Sequence, residues 1–433
     1  MCWGGLTARA PAGSPWVCTT GSGGWLRMSN DTGTTKKRRI SRRKWLAVCG
    51  GGLALGVAGA ALVPRKKPDL PLSIGKLQAG TEAPAACNND WWSDLDDLGI
   101  RHISQFDRLP WFEKDDTGQF RLKADAGVDT IIDTHSHVGW AFGLAQSVDM
   151  TRSCKVEYFY DFEREQDLLR TQIHPTPDEA ARMRNDDLAV FLKTPRINRT
   201  QTAANLVAEM DRMNFRGAVL LPIAVPFQGR HARDTFAAST MDKRFIALGA
   251  VYPKPWGPRK IAEMERQVKT HGIKGVKYHP VFQLLAPDDP DMMKLFEWCE
   301  AHGLLIYAHT GYTGREPRFM KEKSELRRFM KPLEAFPHLR MVFAHTGVRC
   351  VDEALSVARK FDDRVWLDIS GQAAPAIAYI LRRYDTAKIM FGSDWPFYPL
   401  SVMVARSLMA TESCPSLRER FFSGNAKELL GLA

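Results

Sequence analysis

The sequence predicts an α/β fold: an eight-stranded parallel (β/α)8 TIM barrel with a large insertion after strand 1 and an N-terminal export leader. Three observations predict it. From Asp129 onward, short apolar runs alternate with amphipathic stretches, the pattern of βαβ units whose strands lie parallel. Eight such runs are present, and eight units most often close into a barrel, with a doubly wound open sheet as the competing arrangement. Four of the runs end in His or Asp, and the C-terminal strand ends are where barrels place their chemistry.

The strands are expected near 129–138, 217–225, 245–252, 273–279, 304–309, 340–345, 364–369 and 388–393. Helical periodicity falls between them, near 202–214, 258–270, 291–302, 324–336, 351–361 and 373–384, with a last helix near 415–430. After Pro226 the helical signal is poor, and the alternation itself requires a short helix there. The interval from Trp140 to about Thr200 is too long for an ordinary connection. It carries Tyr158-Phe159-Tyr160, the charged Asp161, Glu163, Arg164 and Glu165, and helical patterns near 162–170 and 177–191. An insertion at that point of a barrel sits at the catalytic face, so it is expected to cover the substrate. A packing role or an oligomer contact is the alternative.

Ahead of the barrel, residues 68–128 read as a linker followed by a packing segment. Pro, Ala and Gly dominate to about residue 86, whereas Trp91-Trp92, Phe106, Leu109, Trp111-Phe112 and Phe120 carry too much apolar surface for a free tail. Asp115-Asp116-Thr117-Gly118 is a hairpin turn signal.

The net charge of +11 over 433 residues suggests nucleic acid or a membrane surface until it is located. Residues 1–67 hold twelve Lys and Arg against Asp31, which leaves 48 basic and 48 acidic residues in the remainder. A neutral body removes the electrostatic argument for nucleic-acid binding. The leader places Lys36-Lys37-Arg38-Arg39 and Ser41-Arg42-Arg43-Lys44 before an apolar, Gly- and Ala-rich run from Trp45 to Val63, the order of an export signal. Ser41-Arg42-Arg43-Lys44-Trp45-Leu46 resembles a twin-arginine motif, which implies a periplasmic protein. A membrane anchor over 45–63 is the alternative. Met28 would bring the basic cluster close to an N-terminus and is the expected start. The eight cysteines include no C-x-x-C, and the five beyond the leader are read as free thiols.

The chemistry is expected at the strand ends. Ile131-Ile132-Asp133-Thr134-His135-Ser136-His137 puts two imidazoles at i, i+2, which share one face of a strand. Such a pair holds a divalent metal when other ligands converge on it. Asp133 is expected on the same side one layer deeper, either orienting an imidazole or satisfying backbone donors. The other strand ends of this form are Leu305-Ile306-Tyr307-Ala308-His309, Met341-Val342-Phe343-Ala344-His345 and Ile389-Met390-Phe391-Gly392-Ser393-Asp394. Strand four adds Lys277 and His279 on a shared face.

With Ala308-His309-Thr310-Gly311, Phe343-Ala344-His345-Thr346-Gly347, Gly392-Ser393-Asp394-Trp395-Pro396-Phe397 and the terminal Asn425-Ala426-Lys427-Glu428-Leu429-Leu430, the set resembles the amidohydrolase-related branch of the amidohydrolase superfamily. The resemblance covers about residues 129–433, but neither the leader nor the 140–200 insertion. It implies that His135, His137, His309 and Asp394 hold one divalent metal, for which zinc suits the donors, and that Asp394 and His345 are catalytic. Asp394 would move the proton of a metal-bound water, and His345 would polarise a substrate carbonyl or share the proton transfer. Three neutral imidazoles leave the metal enough charge to bring that water to a pKa of about 7.

Lys277 and His279 are expected to bind substrate. A carboxylated Lys277 would instead bridge two metals, with His345 completing the second site; the resemblance favours one. Arg164, Tyr312, Arg315 and Arg318 are further candidates to meet a substrate carboxylate. The expected reaction is hydrolysis of an amide, lactone or ester of a small molecule. Decarboxylation of an aromatic or unsaturated carboxylic acid, which the branch also contains, is the alternative enzyme reading, and a non-catalytic binding barrel is the third. The expected partners are a small-molecule substrate and no nucleic acid. Membrane contact comes only through the leader, and a homo-oligomer is left open.

Overall fold

The computed structural model describes residues 99–432, apart from 141–146, 174, 190–193, 227–229 and 314–315. The chain divides into two units, Met1–Gly56 and Val57–Ala433, and the described residues belong to the second. The leader, the linker, Trp91-Trp92, His174 and Arg315 lie outside them.

The described chain opens with a 3-10 turn, Ile103–Arg108, and an antiparallel hairpin of β1 (Phe112–Lys114) and β2 (Phe120–Leu122). The hairpin turn forms where its residues demand it. Asp115 Oδ1 accepts from the backbone N of Thr117 and Gln119, and Gly118 takes the left-handed φ of +76°. Phe106, Leu109, Trp111 and Phe112 from this segment are buried in the main core.

Eight parallel strands follow among the described residues: β3 (Ile131–Ser136), β4 (Phe215–Leu220), β5 (Phe245–Ala247), β6 (Gly275–Tyr278), β7 (Leu305–Gly311), β8 (Met341–Val348), β9 (Val365–Asp368) and β10 (Ile389–Met390). The architecture is α/β, with helices between strands. The single continuous barrel sheet expected from the sequence is not seen. The strands form a three-stranded sheet, β3-β4-β5, and a five-stranded sheet, β10-β9-β8-β7-β6. Among the described residues these are joined by no regular ladder but by isolated bridges, Gly249 with Val276 and Ser136 with Trp395.

The reason is local at each junction. β5 is only three residues long and has ended before it reaches β6. β10 is two residues long and gives way to an irregular run. That run still bonds to β3, through Thr134 N to Phe391 O, Asp394 N to His135 O and His137 N to Trp395 O, but without a regular ladder.

Apolar packing holds this frame in two layers. Ile132, Val219, Leu305, Tyr307, Val342 and Met390 cluster with Ala426, Leu429 and Leu430 of the terminal helix. A larger cluster joins the other strand faces to the surrounding helices. Each fully buried Leu, Ile or Val contributes about 1.5–3 kcal/mol relative to an exposed one.

Most helices stand where periodicity places them, including Ala203–Arg212, Pro258–His271, Pro290–Ala301, Val351–Lys360 and Ala374–Leu381. The helix required after Pro226 is Arg230–Ser239. Inside the insertion, Pro177–Ala189 is helical, but residues near 162–170 are turns. There Asp167 Oδ1 accepts from Leu169 N and Arg170 N, and Asp161 Oδ1 from Glu163 N, so side chains occupy the donors a helix would need.

The helix expected over 324–336 is two 3-10 turns and a short helix, Met330–Ala335. The last helix is a π-helical turn, Arg420–Gly424, continued by Asn425–Leu430. Leu400–Ala410 has no counterpart in the sequence reading; every residue in it is buried, so it shows no polar face. Cys154, Cys299 and Cys350 are free thiols, whereas Cys414 is disulfide-bonded, against expectation. Among the described residues, no helix is long and apolar enough to cross a membrane.

Candidate metal centre

The strand ends bring His135, His137, Lys277, His279, His309, His345 and Asp394 together as a chain of close contacts. His135 Nε2 lies 3.1 Å from His137 Nε2, 3.1 Å from Lys277 Nζ and 3.5 Å from Asp394 Oδ1. His137 Nε2 lies 3.6 Å from the same Asp394 oxygen. On the other side His345 Nε2 is 3.1 Å from His309 Nδ1, and the His279 ring stacks on His309 at 4.0 Å. His135, His345 and Asp394 each offer a donor atom within 4.8 Å of the others.

Backbone geometry aims these groups. The pairing of β3 with β4 shifts register between Asp133 and Ser136, so simple alternation stops just where the histidines begin. His345 and Asp394 both sit at a φ of +60°, outside the strand conformation, which turns each side chain away from the ladder's alternation. Gly392 lets the segment pass close by: a Cβ there would meet His135 Cβ at 3.1 Å and Asp368 Cγ at 3.3 Å. Asp133 does not orient an imidazole. It accepts from His135 N at 2.9 Å, from Ser393 N at 2.8 Å and from the Ser136 and Ser393 hydroxyls, fastening the first strand end to the last.

Hydrogen bonds decide which ring nitrogens are bare. His135 Nδ1 faces Asp368 Oδ2 at 2.9 Å, and His137 Nδ1 faces the Leu221 carbonyl at 2.7 Å. Both partners are acceptors, so each Nδ1 carries the proton and the two Nε2 lone pairs confront each other beside the Asp394 carboxylate. Burial pushes the His135 imidazole down to about 3 and His345 to about 4, with Lys277 adding to both. Burial also holds His137, His279 and His309 well below the usual histidine range. It lowers the Lys277 ammonium to about 8 and raises the Asp394 carboxyl well above its usual range, against the pull of Lys277.

Neutral imidazoles with bare nitrogens 3.1 Å apart, and a carboxylate oxygen 3.5–3.6 Å away, fit a shared divalent cation. Such spacings suit donors each about 2.0–2.2 Å from one ion. His309 Nε2 is buried and has no hydrogen-bond partner, an orphan of the kind a metal satisfies.

Sequence reasoning missed Asp368, Tyr307 and Ser370. Asp368 is fully buried and accepts from His135, from Tyr307 Oη at 2.6 Å, from His345 N at 3.0 Å and from Ser370 N and Oγ. Burial opposes its charge, but His135, His345 and these donors hold it below the usual carboxylate range. The signal was present: Val365-Trp366-Leu367-Asp368 is another apolar strand ending in an acid.

Trp140 lies edge-on to His137 at 5.5 Å and to Phe282 and Phe397 at 5.4 and 5.2 Å, forming an aromatic wall beside the centre. From the insertion, Phe159 stacks on Phe397 at 4.3 Å. Arg164 and Arg318 do not join the centre: they pair with Glu179 and Glu322. Tyr312 lies instead under the Lys321 ammonium.

Imidazoles and a carboxylate converging from parallel strand ends define a class of α/β enzymes. The sequence model of the amidohydrolase family matches residues 132–432, and the chain belongs to that family. It is similar to a 2-amino-3-carboxymuconate-6-semialdehyde decarboxylase from Dictyostelium discoideum, 23% identical over 231 residues. That match takes in 44% of this chain and 62% of the relative's length. Among solved structures, 5-carboxyvanillate decarboxylase from Sphingomonas paucimobilis is 17% identical, with a TM-score of 0.49 over 70% of this chain and all of that one. An uncharacterised TIM-barrel protein from Bordetella bronchiseptica is 19% identical, with a TM-score of 0.47 over 70% of this chain and 98% of that one.

Proposed function

We propose that the chain is a metal-dependent enzyme that removes the carboxyl group of a small planar aromatic or unsaturated acid. The observation that carries this reading is the juxtaposition at the centre. An aromatic wall of Trp140, Phe282 and Phe397 stands beside a buried cation, Lys277, and a part-buried carboxyl, Asp394. A flat conjugated ring suits the wall, and a carboxylate suits the lysine. The decarboxylase activity of the Dictyostelium relative supports the same reading.

His135, His137, His309 and Asp394 would hold the ion, with zinc matching the nitrogen-rich set. When bound, it would supply Lewis acidity toward substrate oxygens. Lys277 would draw the substrate's anionic group into the pocket by charge. As the carbon–carboxyl bond breaks, its electron pair stays on the ring carbon. Asp394, whose carboxyl lies beside the bare imidazole nitrogens, would carry a proton to that carbon. Hydrolysis of a ring ester or amide is the second reading. It is favoured by the 14% exposure of the Asp394 side chain, which lets water reach a carboxylate able to take its proton.

Metal content per chain, measured on protein purified without chelator, tests the premise. About one equivalent, absent in His135→Ala/His137→Ala, supports a mononuclear centre, and no metal after reconstitution refutes it. Two equivalents that fall to one in Lys277→Met would identify a bridging, carboxylated lysine. Carbon dioxide release from aromatic and unsaturated acids, against acid release from lactones and amides, then separates the two reactions.

The leader, which lies outside the described residues, is proposed to export the protein by the twin-arginine route. Arg42→Lys/Arg43→Lys should trap it in the cytoplasm, and normal export of that variant would refute this route.

A further inference from the structure

The second oxygen of Asp368 faces a row of groups that the proposed chemistry leaves unused. Ser370 Oγ donates to Asp368 Oδ1, and a carboxylate that collects two backbone N–H groups, a tyrosine hydroxyl and an imidazole has no proton to give back. The serine's only hydrogen is therefore spent on Asp368. Its oxygen accepts from His345 Nδ1, 2.8 Å away. The Ser370 carbonyl, an acceptor by nature, lies 3.3 Å from the same nitrogen and demands the same proton there. With its proton on Nδ1, a neutral His345 has a bare Nε2, and that nitrogen is 3.1 Å from His309 Nδ1. His309 Nδ1 must then be the donor. The remaining His309 nitrogen, Nε2, is the buried atom without a partner. A proton there would be a donor buried without an acceptor, which costs about 1–3 kcal/mol.

We propose that Asp368 is a positioning residue whose hydrogen-bond relay through Ser370 and His345 fixes the tautomer of His309, leaving its Nε2 unprotonated as a metal ligand. Its other oxygen does the same for His135 directly. One carboxylate thus sets the ligand nitrogen on two strands. This gives His345 a relay role in which both its nitrogens are engaged, leaving it no free N–H with which to polarise a substrate carbonyl. The proposal rests on reading the centre as a metal site only in its last step.

The test uses the full chain labelled with [15N]histidine and freed of metal, with long-range proton–nitrogen spectra assigned by loss of the signal in His309→Gln. The expected wild-type pattern is a protonated Nδ1 and a bare Nε2 at His309. Ser370→Ala should convert it to a mixture of tautomers and weaken zinc binding, measured by chelator competition, by about 10–100-fold. Ser370→Thr, which keeps the hydroxyl, should restore both. A protonated Nε2 in the wild type overturns the relay whether or not the variants fold. So does a Ser370→Ala protein with unchanged tautomer and zinc affinity. A shifted tautomer with unchanged affinity overturns the ligand role of His309 while the relay stands. A wild type that binds no zinc refutes the metal centre, and the spectrum still judges the relay.

Discussion

Glu209 offers the sharpest test of how the Asp394 loop is held. This buried carboxylate on the helix Ala203–Arg212 accepts from Trp395 Nε1 at 2.9 Å, from Leu400 N at 3.2 Å and from Tyr158 Oη at 2.5 Å. Trp395 directly follows Asp394, Leu400 opens the buried helix, and Tyr158 belongs to the insertion. Glu209→Ala strands two fully buried donors, Trp395 Nε1 and Leu400 N, at about 1–3 kcal/mol each, so about 2–6 kcal/mol in total. Tyr158→Phe removes one donor but leaves the carboxylate two, so it should cost about 0.5–1.5 kcal/mol. Urea unfolding midpoints at matched m-values read the difference. Metal content should fall in Glu209→Ala and hold in Tyr158→Phe. If Tyr158→Phe costs as much as Glu209→Ala, or Glu209→Ala costs under about 1 kcal/mol, Glu209 does not anchor that loop.

Three further outcomes are expected. His135, His137, His231, His279, His309 and His345 are all held below the usual histidine range by burial. The unfolded chain therefore binds more protons below about pH 6.5, and stability is lost as pH falls from there toward the folded values. A thermal midpoint that stays flat between pH 7 and 5 in chelator refutes this. Arg406 is fully buried and donates to the carbonyls of Leu168 and Thr171 in the insertion and of Gln372 beyond β9. Arg406→Met should speed amide exchange across 160–173 more than across β7, and a uniform change would count against this clamp. Asp368→Asn gives His135 Nδ1 an amide in place of an obligate acceptor. It should weaken zinc binding about 10–100-fold, and unchanged affinity would show that Asp368 does not set that nitrogen.

The strands were legible because each is a short apolar run between polar turns, and the clustering of side chains at their ends because four of those runs stop at His or Asp. Leu400–Ala410 was not, since a helix buried on all sides carries no period to detect. The stretch 162–170 misled for the opposite reason: its helical spacing is real, but Asp161 and Asp167 close turns on their own backbone. Asp368 ends an expected strand, but no histidine motif accompanies it to mark it as part of the site. What no pattern in the sequence reports is the turn of His345 and Asp394 out of the ladder, which depends on bonds made by residues far along the chain. Asp133, for example, accepts from Ser393 across 260 positions.

That left-handed backbone under His345 and Asp394 narrows which neighbours in sequence space these positions can visit. Outside glycine, Asn, Asp and His adopt it most readily, whereas a β-branched side chain there is a steric outlier. The residue types proposed to do the chemistry here are thus among the few that the turn tolerates. Asn or Gly at either site would keep that backbone while removing the proposed ligand or catalytic group. A relative that has lost activity by this route would keep its barrel intact, and Asn is the substitution that separates the two in the laboratory.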